Sequence, residues 1–126
     1  MKTILVDASK TLVIDGKIDE ELYNLLETYP NRKIILTNAD DEQLVAFGLV
    51  NMPYDVFTLK HNPDKVDPKY FEILLKQYNL DNSNVIYFEH SQEAVDSAKS
   101  LGITSYFYDS DKRDLVALKE FLDSNC

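Results

Sequence analysis

The sequence has little of what small secreted or membrane-bound proteins depend on. Among 126 residues there is one cysteine, Cys126, in the last position, so neither an internal disulfide nor a cysteine-based metal site can form. Glycine and proline number only three and four, which excludes collagen-like and low-complexity chains. Long hydrophobic runs are missing too: Thr3–Val6 and Val85–Phe88 fall far short of a membrane span. The opening Met-Lys-Thr-Ile-Leu-Val runs straight into a charged residue, which reads as a strand and not as a signal peptide. Basic residues are scarce, with 13 Lys and Arg against 22 Asp and Glu, for a formal net charge of −9. Such a surface repels phosphate backbones and disfavours nucleic acid as a partner. The expectation is a single cytoplasmic domain over residues 1–126, with neither membrane nor nucleic acid as partner and its oligomeric state open.

What is present is an ordinary globular balance, 44% hydrophobic and 28% charged, in a chain long enough to bury a core without staples. Five short apolar runs recur: Thr3–Val6, Lys33–Leu36, Asp55–Leu59, Asn84–Phe88 and Thr104–Tyr108. They are continuous where half-buried strands would alternate, so they read as strands buried on both faces. Between them lie stripes with helical spacing. Ile18, Leu22, Leu25, Leu26 and Tyr29 form one; Phe71, Leu74, Leu75 and Tyr78 form the next. Ala94, Val95, Ala98 and Leu101 form a third, and Leu115, Leu118 and Leu122 a fourth. A shorter helix is expected over Asp40–Phe47, with Gly48 and Gly102 as helix stops and Pro68 at a helix start. Asp15-Gly16 between Val13-Ile14 and Lys17-Ile18 is a two-residue hairpin signal. Strand alternating with helix predicts a three-layer α/β/α, Rossmann-like, mostly parallel five-stranded sheet carrying a small β-hairpin flap.

In such sheets ligands bind beyond the carboxyl ends of the strands. The first strand runs into Asp7-Ala8-Ser9-Lys10-Thr11 and the second into Thr37-Asn38. Lys65-Val66-Asp67-Pro68 follows the third and opens a helix, and the fourth ends in Glu89-His90-Ser91. Each residue alone has a plain reading: Asp7 and Thr37 as turn residues, Lys65 as a solvated loop lysine, Glu89 as a surface residue before a helix cap at Ser91. His61 and His90 read as exposed loop residues, and nothing with helical spacing supports them as a metal pair. Their joint placement at strand ends singles out Asp7, Thr37, Lys65 and Glu89. A lysine among carboxylates can balance their charge and that of an incoming phosphoryl group.

This order of motifs resembles the haloacid dehalogenase (HAD) superfamily, mostly phosphatases, over Ile4 to about Tyr108. Its first motif, Asp-x-Asp-x-Thr, is matched by Asp7 and Thr11, its second by Thr37, its third by Lys65 with Asp67-Pro68, and its fourth by Glu89-His90. The resemblance implies an HAD-like hydrolase, a phosphatase in which Asp7 is the nucleophile. Thr37, Asn38 and Lys65 would then hold the phosphoryl group, and Asp7, the Ser9 carbonyl and Glu89 would hold Mg²⁺. Substrates would be phosphorylated small molecules or macromolecules.

Two positions depart from the pattern. Ser9 stands where the family's phosphatases carry their acid/base Asp, a loss that typically costs ~10²–10⁴-fold in rate. His90 stands where a second acid is usual. The cation-pumping ATPases also carry a hydroxyl residue at the first position, in Asp-Lys-Thr-Gly-Thr, alongside a longer-lived aspartyl-phosphate. Thirty positions separate Asp7 from Thr37 and 28 separate Thr37 from Lys65, too few for a cap domain, which sets aside the dehalogenase analogy. A phosphorelay receiver is set aside by order, because its acceptor follows the third strand. The alternative that stays open is a catalytically silent relative that binds a protein or a phosphorylated ligand.

Overall fold

A computed structural model describes residues 1–126. The chain order is β1 (Thr3–Asp7), β2 (Val13–Ile14), β3 (Lys17–Ile18), α1 (Glu20–Glu27), β4 (Lys33–Thr37), α2 (Asp41–Ala46) and β5 (Asp55–Thr58). It continues with α3 (Lys69–Gln77), β6 (Val85–Glu89), α4 (Gln92–Ser100), β7 (Thr104–Phe107) and α5 (Leu115–Asn125). The main sheet has the order β5-β4-β1-β6-β7, and every pairing in it is parallel. The hairpin β2–β3 forms a separate two-stranded flap around Asp15-Gly16, as its turn chemistry predicts. Between Thr37 and Lys65 lie only α2 and β5, so no cap interrupts the fold.

Successive side chains of the central strands point to opposite faces and supply two cores. Ile4, Val6, Ile35, Ile86 and Phe88 meet Leu22 and Leu26 of α1 and Leu118 and Leu122 of α5. Leu5, Ile34, Leu36, Val85 and Tyr87 meet Tyr70, Phe71 and Leu74 of α3 and Ala98 of α4. β1, β4 and β6 are therefore buried along their whole length. The edge strands are not: β5 buries only Phe57, β7 buries none of its residues, and Phe107 is exposed. The expectation of strands buried on both faces thus holds at the centre and fails at the edges. Of Tyr106-Phe107-Tyr108, only Tyr108 is buried. No helix is long and apolar enough to cross a membrane.

Helix caps follow the local sequence. Asp40 caps α2 through the Gln43 N–H while the Gln43 side chain accepts from the Asp40 N–H, a complete capping box. Ser91 and Asp114 cap α4 and α5. The chain steps from β1 outward to β4 and β5, then crosses back to β6 and β7. β1 and β6 are thus neighbours whose outgoing connections diverge, the switch point at which such sheets open a crevice.

Candidate active site

Asp7 ends β1 and Glu89 ends β6, so the switch point sets two carboxylates side by side, both buried. After Asp7 the backbone turns tightly. The Leu12 N–H bonds the Ala8 carbonyl at 2.9 Å, and Lys10 takes a left-handed conformation at φ 67°. That turn returns the Thr11 hydroxyl, four positions along the chain, to Asp7 Oδ2 at 2.6 Å. Lys65 reaches in from the loop ahead of α3 and donates to Asp7 Oδ1 at 2.8 Å and to Glu89 Oε1 at 2.9 Å. Its own backbone N–H is fixed by Asn38 Oδ1 at 2.8 Å. Lys60 instead pairs with Asp41 at the surface. Tyr87 donates its hydroxyl to Glu89 Oε1, and the Ser91 N–H donates to Glu89 Oε2 at 3.1 Å.

His90 departs from its expected place. Its ring is three-quarters buried, its Nδ1 bonds Asp7 Oδ2 and lies 3.2 Å from Glu89 Oε2, and its backbone N–H also points at Asp7 Oδ2. Its contact is a consequence of β6 ending beside β1: the residue after Glu89 has to pass the end of β1.

Two carboxylates thus face two cationic side chains, with no formal charge left over. Burial by itself would push Asp7 up, but Lys65 and His90 outweigh it and hold the carboxyl well below the usual carboxylate range. Burial likewise would lower Lys65, and Asp7 and Glu89 reverse the sign and raise it above an ordinary lysine. Hydrogen bonds to Asp7 and then Glu89 raise His90 from 6.5 to about 9. Near neutral pH the ring is a cation with its Nδ1 proton committed to Asp7.

These groups line a cleft of about 250 Å³ together with Ser9, Thr37, Asn38 and His61. Thr37 Oγ1 accepts the Ala39 N–H at 3.1 Å, leaving its own proton free to donate. Ser9 has no hydrogen-bond partner for its hydroxyl, and no N–H in the chain bonds its carbonyl. The structure therefore brings Asp7, Ser9, Thr37, Asn38, Lys65 and Glu89 around one space.

His61 is the residue that reading for motifs overlooked as part of the cleft wall. Its Nδ1 lies 2.8 Å from Asp64 and its Nε2 lies 2.5 Å from Gln43 Oε1. Lys60 and His61 are both left-handed, at φ 54° and 65°, an uncommon backbone for two consecutive non-glycine residues. The only signal for this was the short polar loop between β5 and Lys65.

No protein-family model matches the chain, and no curated protein matches it in sequence. Solved structures do. The chain matches the core domain of a protein assigned as a phosphoglycolate phosphatase from Streptococcus pneumoniae with a TM-score of 0.65 and 16% identity, over 98% of this chain and 96% of that one. A HAD family enzyme from Bacteroides thetaiotaomicron, solved as an aspartate-to-alanine mutant with magnesium and inorganic phosphate, matches at 0.62 and 12% identity, over 85% and 93% of the two chains. D,D-heptose 1,7-bisphosphate phosphatase from Burkholderia thailandensis matches at 0.59 and 14% identity, over 93% and 85%. The class that these likenesses and the sheet order define is a three-layer α/β/α, Rossmann-like fold with a crevice at the β1–β6 switch point. More particularly, the chain has the haloacid dehalogenase fold.

Proposed function

We propose that the chain is a capless, metal-dependent phosphomonoester hydrolase that works through an aspartyl-phosphate on Asp7. The observation that carries this reading is Lys65 bridging Asp7 and Glu89 at the bottom of an open cleft, with the free hydroxyl proton of Thr37 facing the same space. Asp7 Oδ1 has Lys65 as its one partner and keeps lone pairs for attack, whereas Oδ2 is engaged by Thr11 and His90.

The donor set fits a divalent cation: Asp7, Glu89 and His90 present ligand atoms within 4.8 Å of one another, and the Ser9 carbonyl is unclaimed. Magnesium, bound in the Bacteroides neighbour, is the ion the resemblance implies. Once bound, a divalent cation would offset the charge of the phosphoryl oxygens.

In the first step Asp7 Oδ1 bonds phosphorus and the ester P–O bond breaks. The leaving oxygen takes its proton from water, because Ser9 has none to give at a useful pKa. Thr37 and Lys65 donate to the phosphoryl oxygens and orient the group for in-line attack. In the second step water attacks phosphorus, inorganic phosphate leaves and Asp7 is restored. Without a general base this step is the slower one, so substrates with good leaving groups are favoured. The open cleft suits a phosphorylated small molecule or the phosphorylated side chain of a larger partner.

Release of an aryl alcohol from an aryl phosphate tests the reading. Native protein should show slow, metal-dependent turnover, Asp7→Asn none, and Ser9→Asp a rise of about 10²-fold. No turnover in either native protein or Ser9→Asp would favour a second reading, a silent binder of phosphorylated partners. The pairing of His90 with Asp7 is the observation that supports that alternative.

A further inference from the structure

We infer that His90 is a third protein ligand to the cation, and that it makes this site select a first-row transition ion such as Zn²⁺ over Mg²⁺. The inference deepens the reading of Asp7 and Glu89 as the cation-holding carboxylates, and it does not depend on turnover.

Each carboxylate gives one oxygen to Lys65 and turns the other toward His90. Asp7 Oδ1 and Glu89 Oε1 are held by the Lys65 ammonium at 2.8 and 2.9 Å, and Tyr87 adds a second donor to Oε1. The remaining oxygens, Asp7 Oδ2 and Glu89 Oε2, both face His90 Nδ1. Three donor atoms thus converge from two adjacent strand ends. An ion bound tetrahedrally at about 2.0–2.2 Å from imidazole nitrogen and carboxylate oxygen keeps neighbouring ligands about 3.3–3.6 Å apart; the 3.2 Å between Nδ1 and Glu89 Oε2 is close to that, and the shorter contact of Nδ1 with Asp7 Oδ2 would open to admit the ion. The ring is already aimed, and the Nδ1 proton that now bonds Asp7 would pass to solvent as the ion binds.

The chemistry of the third donor sets the preference. All-oxygen sites with waters suit Mg²⁺, whereas imidazole suits Zn²⁺, Fe²⁺, Ni²⁺ and Cu²⁺. An acid in place of His90 would give a third oxygen and a third negative charge, both favouring a hard ion. Once the ion displaces its Nδ1 proton, His90 supplies nitrogen and no charge, and Lys65 nearby further weakens a site that relies on charge attraction alone. The supporting contacts are built in: the Ser91 N–H on Glu89 Oε2 and Thr11 on Asp7 Oδ2 orient the ligating oxygens.

Calorimetric titration of metal-free protein with Zn²⁺, Mn²⁺ and Mg²⁺ tests this, in a Cys126→Ser background because that thiol is exposed. One Zn²⁺ should bind per chain, and His90→Asp should lower the Zn²⁺/Mg²⁺ affinity ratio by at least about tenfold. An unchanged ratio in a folded His90→Asp protein would overturn the inference. Should that variant fail to fold, the visible absorption of Co²⁺-loaded native protein decides: bands of a mixed nitrogen–oxygen site support it, and bands of an all-oxygen site refute it. If Zn²⁺ binds as expected while aryl phosphate is not turned over with any ion, the phosphatase reading fails and the metal site stands.

Discussion

At the scale of single residues, the site is a balance between two buried carboxylates and two cations, and His90 is the member with a measurable signature. Its value near 9 in the folded protein lies above the ordinary 6.5, so its pairing with Asp7 stabilises the fold fully below about pH 6.5. That contribution is lost as pH rises through about 9. Thermal unfolding in chelator-treated buffer should therefore show stability declining from pH 6.5 to 9, by no more than about 3 kcal/mol. His90→Asn should flatten that decline, and a flat native profile would mean that the ring does not rest on Asp7. Asp7, Thr37 and Glu89 were legible in sequence because each ends a strand, and Lys65 because it stands in the loop that leads from β5 to α3, where an α/β sheet places its chemistry. His90 was not, because a ring's direction depends on how two strand ends pass each other. His61 was hidden for a similar reason, since its position rests on a loop backbone with two left-handed residues.

At the scale of elements, the flap and α2 meet at two glycines, and the contact sets how the hairpin stands beside the cleft. A Cβ built on Gly48 lies 2.5 Å from the Gly16 carbonyl oxygen, and Gly48 itself is left-handed at φ 74°. Gly16 is left-handed as well, at φ 79°, but open space surrounds it. Gly48→Ala should thus cost clearly more than Gly16→Ala: about 1–2 kcal/mol for the left-handed backbone alone at Gly16, and a steric clash in addition at Gly48. Urea unfolding of the two variants makes the comparison, and equal losses would show that the hairpin does not press on α2. The hairpin itself was readable from Asp15-Gly16 and Gly48 from its place after α2, but their contact was not, because nothing local pairs residues so far apart in sequence. The same holds for Arg113. It leaves the loop before α5 to donate to the Lys10 carbonyl at 2.9 Å and the Thr11 carbonyl at 2.7 Å, clamping the turn that presents Asp7. Central strands were legible from continuous apolar runs; β5 and β7 carry similar runs yet lie at edges, and composition does not distinguish the two positions.

At the scale of the whole molecule, one parallel sheet gathers chemistry from four strand ends into a single cleft, inside a chain whose net charge is −9. Local neutrality at the site stands apart from that acidic surface. Lys65 and His90 offset Asp7 and Glu89, so under the proposed function a phosphoryl group entering the cleft would meet no net repulsion from these four. In the proposed reaction an aspartyl-phosphate would lie exposed to water in the open cleft, and Ser9, where that reading needs an acid/base, would activate the water poorly. On the proposed mechanism attack by Asp7 outruns hydrolysis. Intact-mass measurement after brief exposure to acetyl phosphate and a divalent ion tests this most directly. The expected result is one added phosphoryl group per native chain, absent from Asp7→Asn and decaying faster in Ser9→Asp. A native chain that gains no phosphoryl group with any ion, or an Asp7→Asn chain that gains one, would contradict it.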